Sequence, residues 1–123
     1  MVIPAEVRAA IAAHARDEAP NEACGVVVAR DHVAERYVRG RNAAASPYRY
    51  ALELDPEVWF LEDEGYELAV CHSHPETAPR PSKTDVANVG LWAGKPYLIY
   101  SLARDELAGW RVSADGYEQL ELT

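Results

Sequence analysis

The stretch "YELAVCHSHPETAPRPSKTDV", residues 66–86, decides the fold of this chain. An apolar, strand-like run ends in two histidines, and Pro75 stops it. The following segment 76–81 contains two further prolines, so it is predicted to be a loop before a helix opens at Ser82. Side chains alternate between the faces of a strand, which predicts that His72 and His74 project from one face while the residue between them points away.

The two histidines and Asp85 have the spacing of a metal site. Zinc binds nitrogen and oxygen ligands, and a catalytic zinc site keeps one of four positions for water, so three protein ligands are needed. Asp85 follows His74 after ten residues, in the first turn of the predicted helix, and the loop allows the chain to turn back. The spacing therefore predicts a site formed by His72, His74 and Asp85. Ser82 and Asp85 also fit a capping box, which alone does not explain the paired histidines.

The rest of the sequence predicts helices and strands around one mixed sheet, in the α/β (α+β) class. Helical spacing predicts a helix between Pro4 and Glu18, and a second, short helix is predicted after Asp55, ending before Gly65. The helix opening at Ser82 is predicted to continue until Gly94. Strands are predicted in "EACGVVVAR" (22–30), "HVAERYVR" (32–39), "PYRYALEL" (47–54), "YELAVCHSH" (66–74) and "YLIYSL" (97–102), and a hairpin in "LAGWRV" (107–112) with "YEQLEL" (117–122).

Length and composition limit the classes of protein that this chain can represent. Its 123 residues suit a single domain, 1–123, with one core. A net charge of −8 opposes binding to nucleic acid or to an anionic membrane surface. No segment approaches the ~20 apolar residues that span a bilayer, and the first residues are unlike a signal peptide, so we expect a cytoplasmic protein. Cys24 and Cys71 are expected to be reduced and buried.

The motif resembles that of the JAMM (MPN+, JAB1/Mov34) zinc metalloproteases, and among these the compact, stand-alone prokaryotic members. "HSHPETAPRPSKTD" has the family spacing without a gap, and "NEACGVVV" resembles the segment that carries the family glutamate. The resemblance implies that His72, His74 and Asp85 bind Zn²⁺, that Glu22 is the general base and that Ser82 stabilises the oxyanion. It also implies a mixed sheet flanked by helices, related to the cytidine deaminase-like architecture.

The same resemblance implies hydrolysis of a peptide or isopeptide bond. The short prokaryotic members suggest a substrate in which an adduct, such as cysteine, is released from the C-terminal Gly-Gly of a ubiquitin-like sulfur carrier protein. Segment 42–54 is expected to lie beside the cleft, where it can pair with an extended substrate tail. The sequence does not decide whether Arg49 contacts substrate, and it leaves the oligomeric state open, a homodimer included.

Two alternatives remain open from the residues. Two histidines and one carboxylate also occur in iron oxygenases, which keep open positions for oxygen chemistry. Related domains that have lost their ligands serve as non-catalytic interaction modules, although every motif position is filled here. A zinc deaminase needs a His-x-Glu and a Pro-Cys-x-x-Cys element, and the sequence has neither. His14 and His32 lack a spaced partner and are assigned no function.

Overall fold

The computed structural model describes residues 1–123, and it has eight strands and three α-helices. The helices are α1 (Ala5–Glu18), α2 (Pro56–Trp59) and α3 (Lys83–Ala87). Single 3-10 turns follow α2 at Phe60–Glu64 and α3 at Gly90–Trp92. The strands are β1 (Cys24–Arg30), β2 (Val33–Arg39), β3 (Arg41–Asn42), β4 (Leu52–Glu53), β5 (Glu67–His74), β6 (Pro96–Ser101), β7 (Glu106–Ser113) and β8 (Gly116–Leu120). The mixed α and β class predicted from the sequence is confirmed.

Six strands form one sheet in the order β2-β1-β5-β6-β7-β8. Neighbouring strands are antiparallel except β5 and β6, which are parallel and so need a crossover connection. That crossover begins directly after His74 and contains α3. The loop predicted after the motif is therefore the start of the crossover, and it brings α3 to the end of the strand that carries both histidines.

The sheet is covered on both faces, which explains why its central strands are almost continuously apolar. On one face α1 packs with Val7, Ile11 and Ala15 against a buried cluster. On the other face the 3-10 turn after α3 contributes Trp92 to a second cluster, which includes Val70 of β5. Because side chains alternate along β5, His72 and His74 belong to the face of Val70. Both cysteines are free and buried, as predicted.

Two secondary-structure predictions are wrong in part. Of the strand predicted at 47–54, only Leu52–Glu53 is a strand, because the Asn42 side chain binds the backbone of Ala44 and Ala51 and holds the chain between them as a loop. The helix predicted from Ser82 to Gly94 breaks after Ala87, and Gly90 has a φ of +53°, in the left-handed region, which an α-helix cannot include. No helix combines the length and the apolar character that a membrane crossing requires.

Candidate metal centre

The end of β5 and the start of α3 bring the predicted ligands together. The Nε2 atom of His72 lies 3.3 Å from Asp85 Oδ1, and the Nε2 atom of His74 lies 3.1 Å from Asp85 Oδ2. Two ligand atoms held at about 2.0–2.2 Å from one tetrahedral ion lie about 3.3–3.6 Å apart. The three side chains are 1% to 5% exposed. Their spacing and burial fit one metal ion of zinc size.

Glu22 comes from the segment before β1 and faces the same histidines. Its Oε1 atom lies 3.0 Å from His72 Nδ1. Ligand atoms of Glu22, His72 and His74 all lie within 4.8 Å of one another. Glu22 thus approaches His72 at Nδ1, while Asp85 approaches the Nε2 atoms of both histidines. The predicted ligands and the predicted base therefore lie around the same pair of imidazoles.

Two buried polar atoms without hydrogen bonds fit the presence of a cation at this centre. The Oε1 atom of Glu22 and the Nε2 atom of His72 are buried and have no hydrogen-bond partner, despite their short distances to neighbouring charged groups. Native proteins leave few such atoms, because an unpaired buried polar group is costly. A metal ion would satisfy the imidazole nitrogen and the adjacent carboxylate oxygens together.

The electrostatics of the centre also favour a cation. Burial alone would lower the pKa of His72, but the carboxylates of Asp85 and Glu22 outweigh burial and raise it to about 10. Burial likewise opposes ionisation of Asp85, yet His72, His74 and the Ser82 N–H hold the pKa of that carboxyl well below its usual range. The raised pKa of His72 shows that carboxylate charge surrounds its imidazole, and the lowered pKa of Asp85 shows that its neighbours stabilise the ionised form. The centre therefore holds negatively charged groups that can attract a positive ion.

Ser82 and Asp85 form the capping box that the sequence predicts. The Ser82 hydroxyl oxygen accepts a hydrogen bond from the Asp85 N–H at 3.0 Å, and the Ser82 N–H donates to Asp85 Oδ2 at 2.9 Å. Asp85 Oδ2 therefore serves the helix cap and faces His74 with the same atom. The cap and the site are not alternatives, because one carboxylate takes part in both.

Three residues that the sequence did not single out support the centre. The Ser73 hydroxyl, between the two histidines, accepts a hydrogen bond from the Ala23 N–H at 2.8 Å and so ties the motif to the residue after Glu22. Tyr50 stacks on His72, with ring centroids 4.5 Å apart. Asn42 donates from its amide to the carbonyl of Glu22 at 3.0 Å. Tyr50 and Asn42 lie more than 20 residues before the motif, so spacing gave no signal for them.

A cleft of about 430 Å³ opens onto this centre. Glu22, His74 and Ser82 line it on the protein side, and Tyr48, which is 81% exposed, stands at its edge. Glu76 and Thr77, from the loop after the motif, line another wall. A substrate in the cleft can therefore reach the two predicted catalytic residues and one predicted ligand at the same time.

Comparison with known proteins shows the family. The model of the prokaryotic homologues of the JAB domain matches residues 4–113, which is most of the chain. The chain therefore belongs to the prokaryotic JAB-domain family, as the motif predicted.

Characterised relatives differ in their names and lengths. The CysO-cysteine peptidase of Mycobacterium tuberculosis is 38% identical over 91% of this chain and 82% of its own length. The desampylase of Haloferax volcanii is 41% identical over 80% of this chain and 78% of its own length. The tail tip assembly protein K of Escherichia phage N15 is 44% identical over 63% of this chain. The match spans about a third of that phage protein, 32% of its length.

Solved structures agree on the fold. A solution structure of a Desulfitobacterium hafniense protein matches with a TM-score of 0.81 and 29% identity, over 99% of this chain and 90% of that one. The crystal structure of a JAB1/MPN domain protein from Archaeoglobus fulgidus matches with a TM-score of 0.63 and 18% identity, over 100% and 99% of the two chains. The predicted JAMM-type sheet flanked by helices is thus confirmed.

Proposed function

We propose that this chain is a zinc-dependent peptidase that hydrolyses an amide bond after the C-terminal Gly-Gly of a ubiquitin-like sulfur carrier protein, for example releasing cysteine. The observation that carries the proposal is a group of four buried side chains in contact, Glu22, His72, His74 and Asp85, two of which, Glu22 and His74, line an open cleft. His72, His74 and Asp85 are assigned as the metal ligands. Their donor set of two imidazoles and one carboxylate suits zinc.

Bound zinc supplies a water molecule with a pKa near 7 and a positive charge beside the scissile carbonyl. Glu22 is assigned as the general base that takes a proton from the attacking water and transfers it to the leaving amine. The carboxylate is 3% exposed and lines the cleft beside His74. The carboxylate is therefore largely shielded from bulk solvent and still faces the cleft.

Ser82 is assigned to stabilise the negative charge that develops on the carbonyl oxygen. Its oxygen atom accepts the capping hydrogen bond from the Asp85 N–H. The hydroxyl hydrogen is therefore free to donate into the cleft that Ser82 lines. A preorganised donor of this kind contributes to catalysis because it is in place before the charge forms.

The names of the relatives support the substrate class. One relative, 38% identical, is named for a CysO-cysteine adduct, and another, 41% identical, is a desampylase. Both names describe removal of a group from a conjugate, in agreement with hydrolysis at a carrier terminus. The proposal also includes a single domain, 1–123, in the cytoplasm.

The alternatives make different predictions for the same preparation. An iron oxygenase would use the same two histidines and Asp85 but would retain iron, and an interaction module would not turn over substrate at all. The relative from phage N15 is an assembly protein, although the match covers only 32% of it. Both residues that the proposal assigns to catalysis, Glu22 and Ser82, are present and line the cleft, which favours hydrolysis over a purely structural role.

The test is mass spectrometry of carrier adducts incubated with zinc-loaded protein. Gly-Gly-tailed carriers that bear a C-terminal cysteine, or an isopeptide-linked lysine peptide, are expected to lose that group, with one water added across the broken bond. The Glu22→Gln variant should bind zinc normally and lose activity by about 10²- to 10⁴-fold. Intact carriers alongside cleaved unrelated peptides would reject the substrate class, and no cleavage of any substrate would reject the peptidase.

A further inference from the structure

Asn42 uses the whole hydrogen-bonding capacity of its side chain at one point of the fold. Its Nδ2 atom donates to the carbonyls of Glu22 and Arg49, at 3.0 and 3.1 Å. Its Oδ1 atom accepts from the N–H groups of Ala44 and Ala51, at 3.0 and 2.9 Å. Two donors and two acceptor positions are all that an asparagine amide offers. The orientation of the amide is therefore fixed by its partners, since a flipped amide would face two carbonyls with its oxygen.

These four contacts join the proposed base to the loop that covers the metal centre. The loop 43–51 begins after Asn42 of β3 and ends before β4, which pairs with β3. The Asn42 side chain is hydrogen-bonded near both ends of this loop, to the N–H groups of Ala44 and Ala51. A backbone hydrogen bond also joins Glu22 directly to this loop, because the Glu22 N–H donates to the Ser46 carbonyl at 2.9 Å. Both backbone polar groups of Glu22 are thus bound by residues 42–46 and not by the central sheet.

The loop also positions a metal-site imidazole. Tyr50 precedes Ala51, whose N–H is bound to Asn42, and its ring stacks on His72 with an interplanar angle of 24°. A hydroxyl–hydroxyl hydrogen bond of 2.9 Å to Tyr97 of β6 fixes the far end of the Tyr50 side chain. The orientation of the loop and the orientation of His72 are therefore linked.

We infer that Asn42 is a positioning residue: it aligns the Glu22 carboxylate with the metal centre by fixing the Glu22 backbone to the loop 43–51. The inference rests on the proposed function for its catalytic consequence, but the anchoring itself is independent of activity. A displacement of about 1 Å at a catalytic group can cost about 100-fold in rate, which is the order of effect that loss of such an anchor predicts.

The decisive variant is Asn42→Asp, which keeps the shape and the Oδ1 acceptor but replaces the two donors by an oxygen that faces two carbonyls. Asn88→Asp is the matched control, because it makes the same chemical change at an exposed position whose side chain forms no hydrogen bond within the protein. Asn42→Ser is a milder second variant that adds no charge and keeps the test open if Asn42→Asp does not fold.

Hydrogen exchange, followed by NMR on the zinc-loaded protein, reports the anchor without any substrate. In both Asn42 variants the amide of Glu22 should exchange about tenfold faster or more, while strand β6 and the bound zinc stay unchanged. In Asn42→Ser, which also lacks the Oδ1 acceptor, the amides of Ala44 and Ala51 should exchange faster as well. The control should match the parent protein. Unchanged exchange at Glu22 in a folded Asn42 variant would overturn the inference, whatever the protein cleaves.

Kinetics with a cleaved carrier adduct report the consequence. In Asn42→Asp, kcat should fall about 10- to 100-fold with KM within about twofold, because the anchor acts on the base and not on substrate binding. In the Glu22→Gln background the same change should have little further effect, because the group that it aligns is already absent. Additive losses would reject alignment of Glu22. A parent protein that cleaves no adduct would instead reject the proposed function, and the exchange result would still decide the anchor.

Discussion

The ring of Tyr50 lies almost flat on the imidazole of His72, with 4.5 Å between their centroids. Tyr97 meets the same imidazole edge-on at 5.5 Å, so His72 is held between two aromatic rings. An imidazole that is fixed in this way has little freedom to rotate, and a ligand that is already in position loses less entropy when it binds a metal. The stack therefore belongs to the metal site, although neither tyrosine offers a ligand atom to it.

Replacing Tyr50 by leucine is expected to weaken zinc binding about 10- to 100-fold, the range found for residues that orient metal ligands. Tyr50→Phe keeps the stack and loses only the hydrogen bond to Tyr97, so its affinity should stay within a few-fold of the parent. Competition with a chromophoric chelator measures both. Equal affinity in the leucine and phenylalanine variants would contradict a role for the ring.

The ligand assignment predicts about one zinc ion per chain, measured by elemental analysis after dialysis. His74→Ala and Asp85→Asn should each lower the zinc affinity by at least about 100-fold. Asp85→Asn is the sharper of the two, because an asparagine can still accept the Ser82 N–H bond and preserve the helix cap. His32→Ala, at an exposed histidine, is the control. Stoichiometric iron with negligible zinc affinity would favour the oxygenase alternative.

The two roles of Ser82 can be separated by a pair of variants. Ser82→Ala should lose about 1 kcal/mol of unfolding free energy with the cap, and about 10²- to 10³-fold in kcat with the hydroxyl donor. Ser82→Gly should lose the same activity but only a few tenths of a kcal/mol, because glycine is tolerated at the N-cap. Denaturant unfolding and kinetics on one preparation give both numbers. A glycine variant with full activity would remove Ser82 from the mechanism.

The environment of His14, on the opposite face of the sheet, predicts that the stability of the fold depends on pH. Its side chain is buried and its Nδ1 atom lies 2.7 Å from the Tyr37 hydroxyl. Burial, and next the charge of Arg39, lowers the pKa of His14 below its usual 6.5. Below pH 6.5 the unfolded chain therefore binds a proton that the folded chain resists, and the free energy of unfolding should fall as the pH decreases towards the lowered pKa.

The slope that one such proton adds is at most about 1.4 kcal/mol per pH unit. His14→Gln should remove this part of the acid sensitivity, so the difference in unfolding free energy between the parent and the variant should shrink as the pH falls below about 6.5. Urea unfolding with a chelator in every sample keeps metal release out of the comparison. A difference that is independent of pH would show that His14 does not titrate with folding.

The sequence predicted the parts of the site whose geometry depends on local periodicity. His72 and His74 are two residues apart on a strand, and Ser82 and Asp85 are three apart at a helix start. The geometry of each pair therefore follows from the local secondary structure alone, without any contact between distant segments. Glu22 came only with the family resemblance, because a carboxylate before a strand has many ordinary explanations. The structure places all five residues at one cleft or centre.

The parts that escaped prediction depend on contacts between distant segments. Tyr50 lies in a stretch whose alternating side chains suggest a strand. The chain forms a loop there instead, because the N–H groups of Ala44 and Ala51, near the two ends of the loop, are hydrogen-bonded to the Asn42 side chain. Gly25 is another example, because a Cβ atom there would lie 2.5 Å from the Tyr37 hydroxyl oxygen. Nothing in the local sequence indicates that a tyrosine from β2 crosses β1 at that position.

The structural role of the Asp85 carboxylate affects how inactive homologues can be recognised from their sequences. Because Asp85 Oδ2 accepts the Ser82 N–H bond that starts α3, folding alone gives a reason to retain this aspartate after chemistry is lost. His74 also contributes to the fold, because its Nδ1 atom lies 2.8 Å from the Ala78 carbonyl oxygen in the loop after β5, whereas His72 supports no helix cap or loop in this way. A homologue that keeps the Ser-x-x-Asp pair and the second histidine but has lost the first should therefore fold normally, and it should be tested for binding and not for turnover.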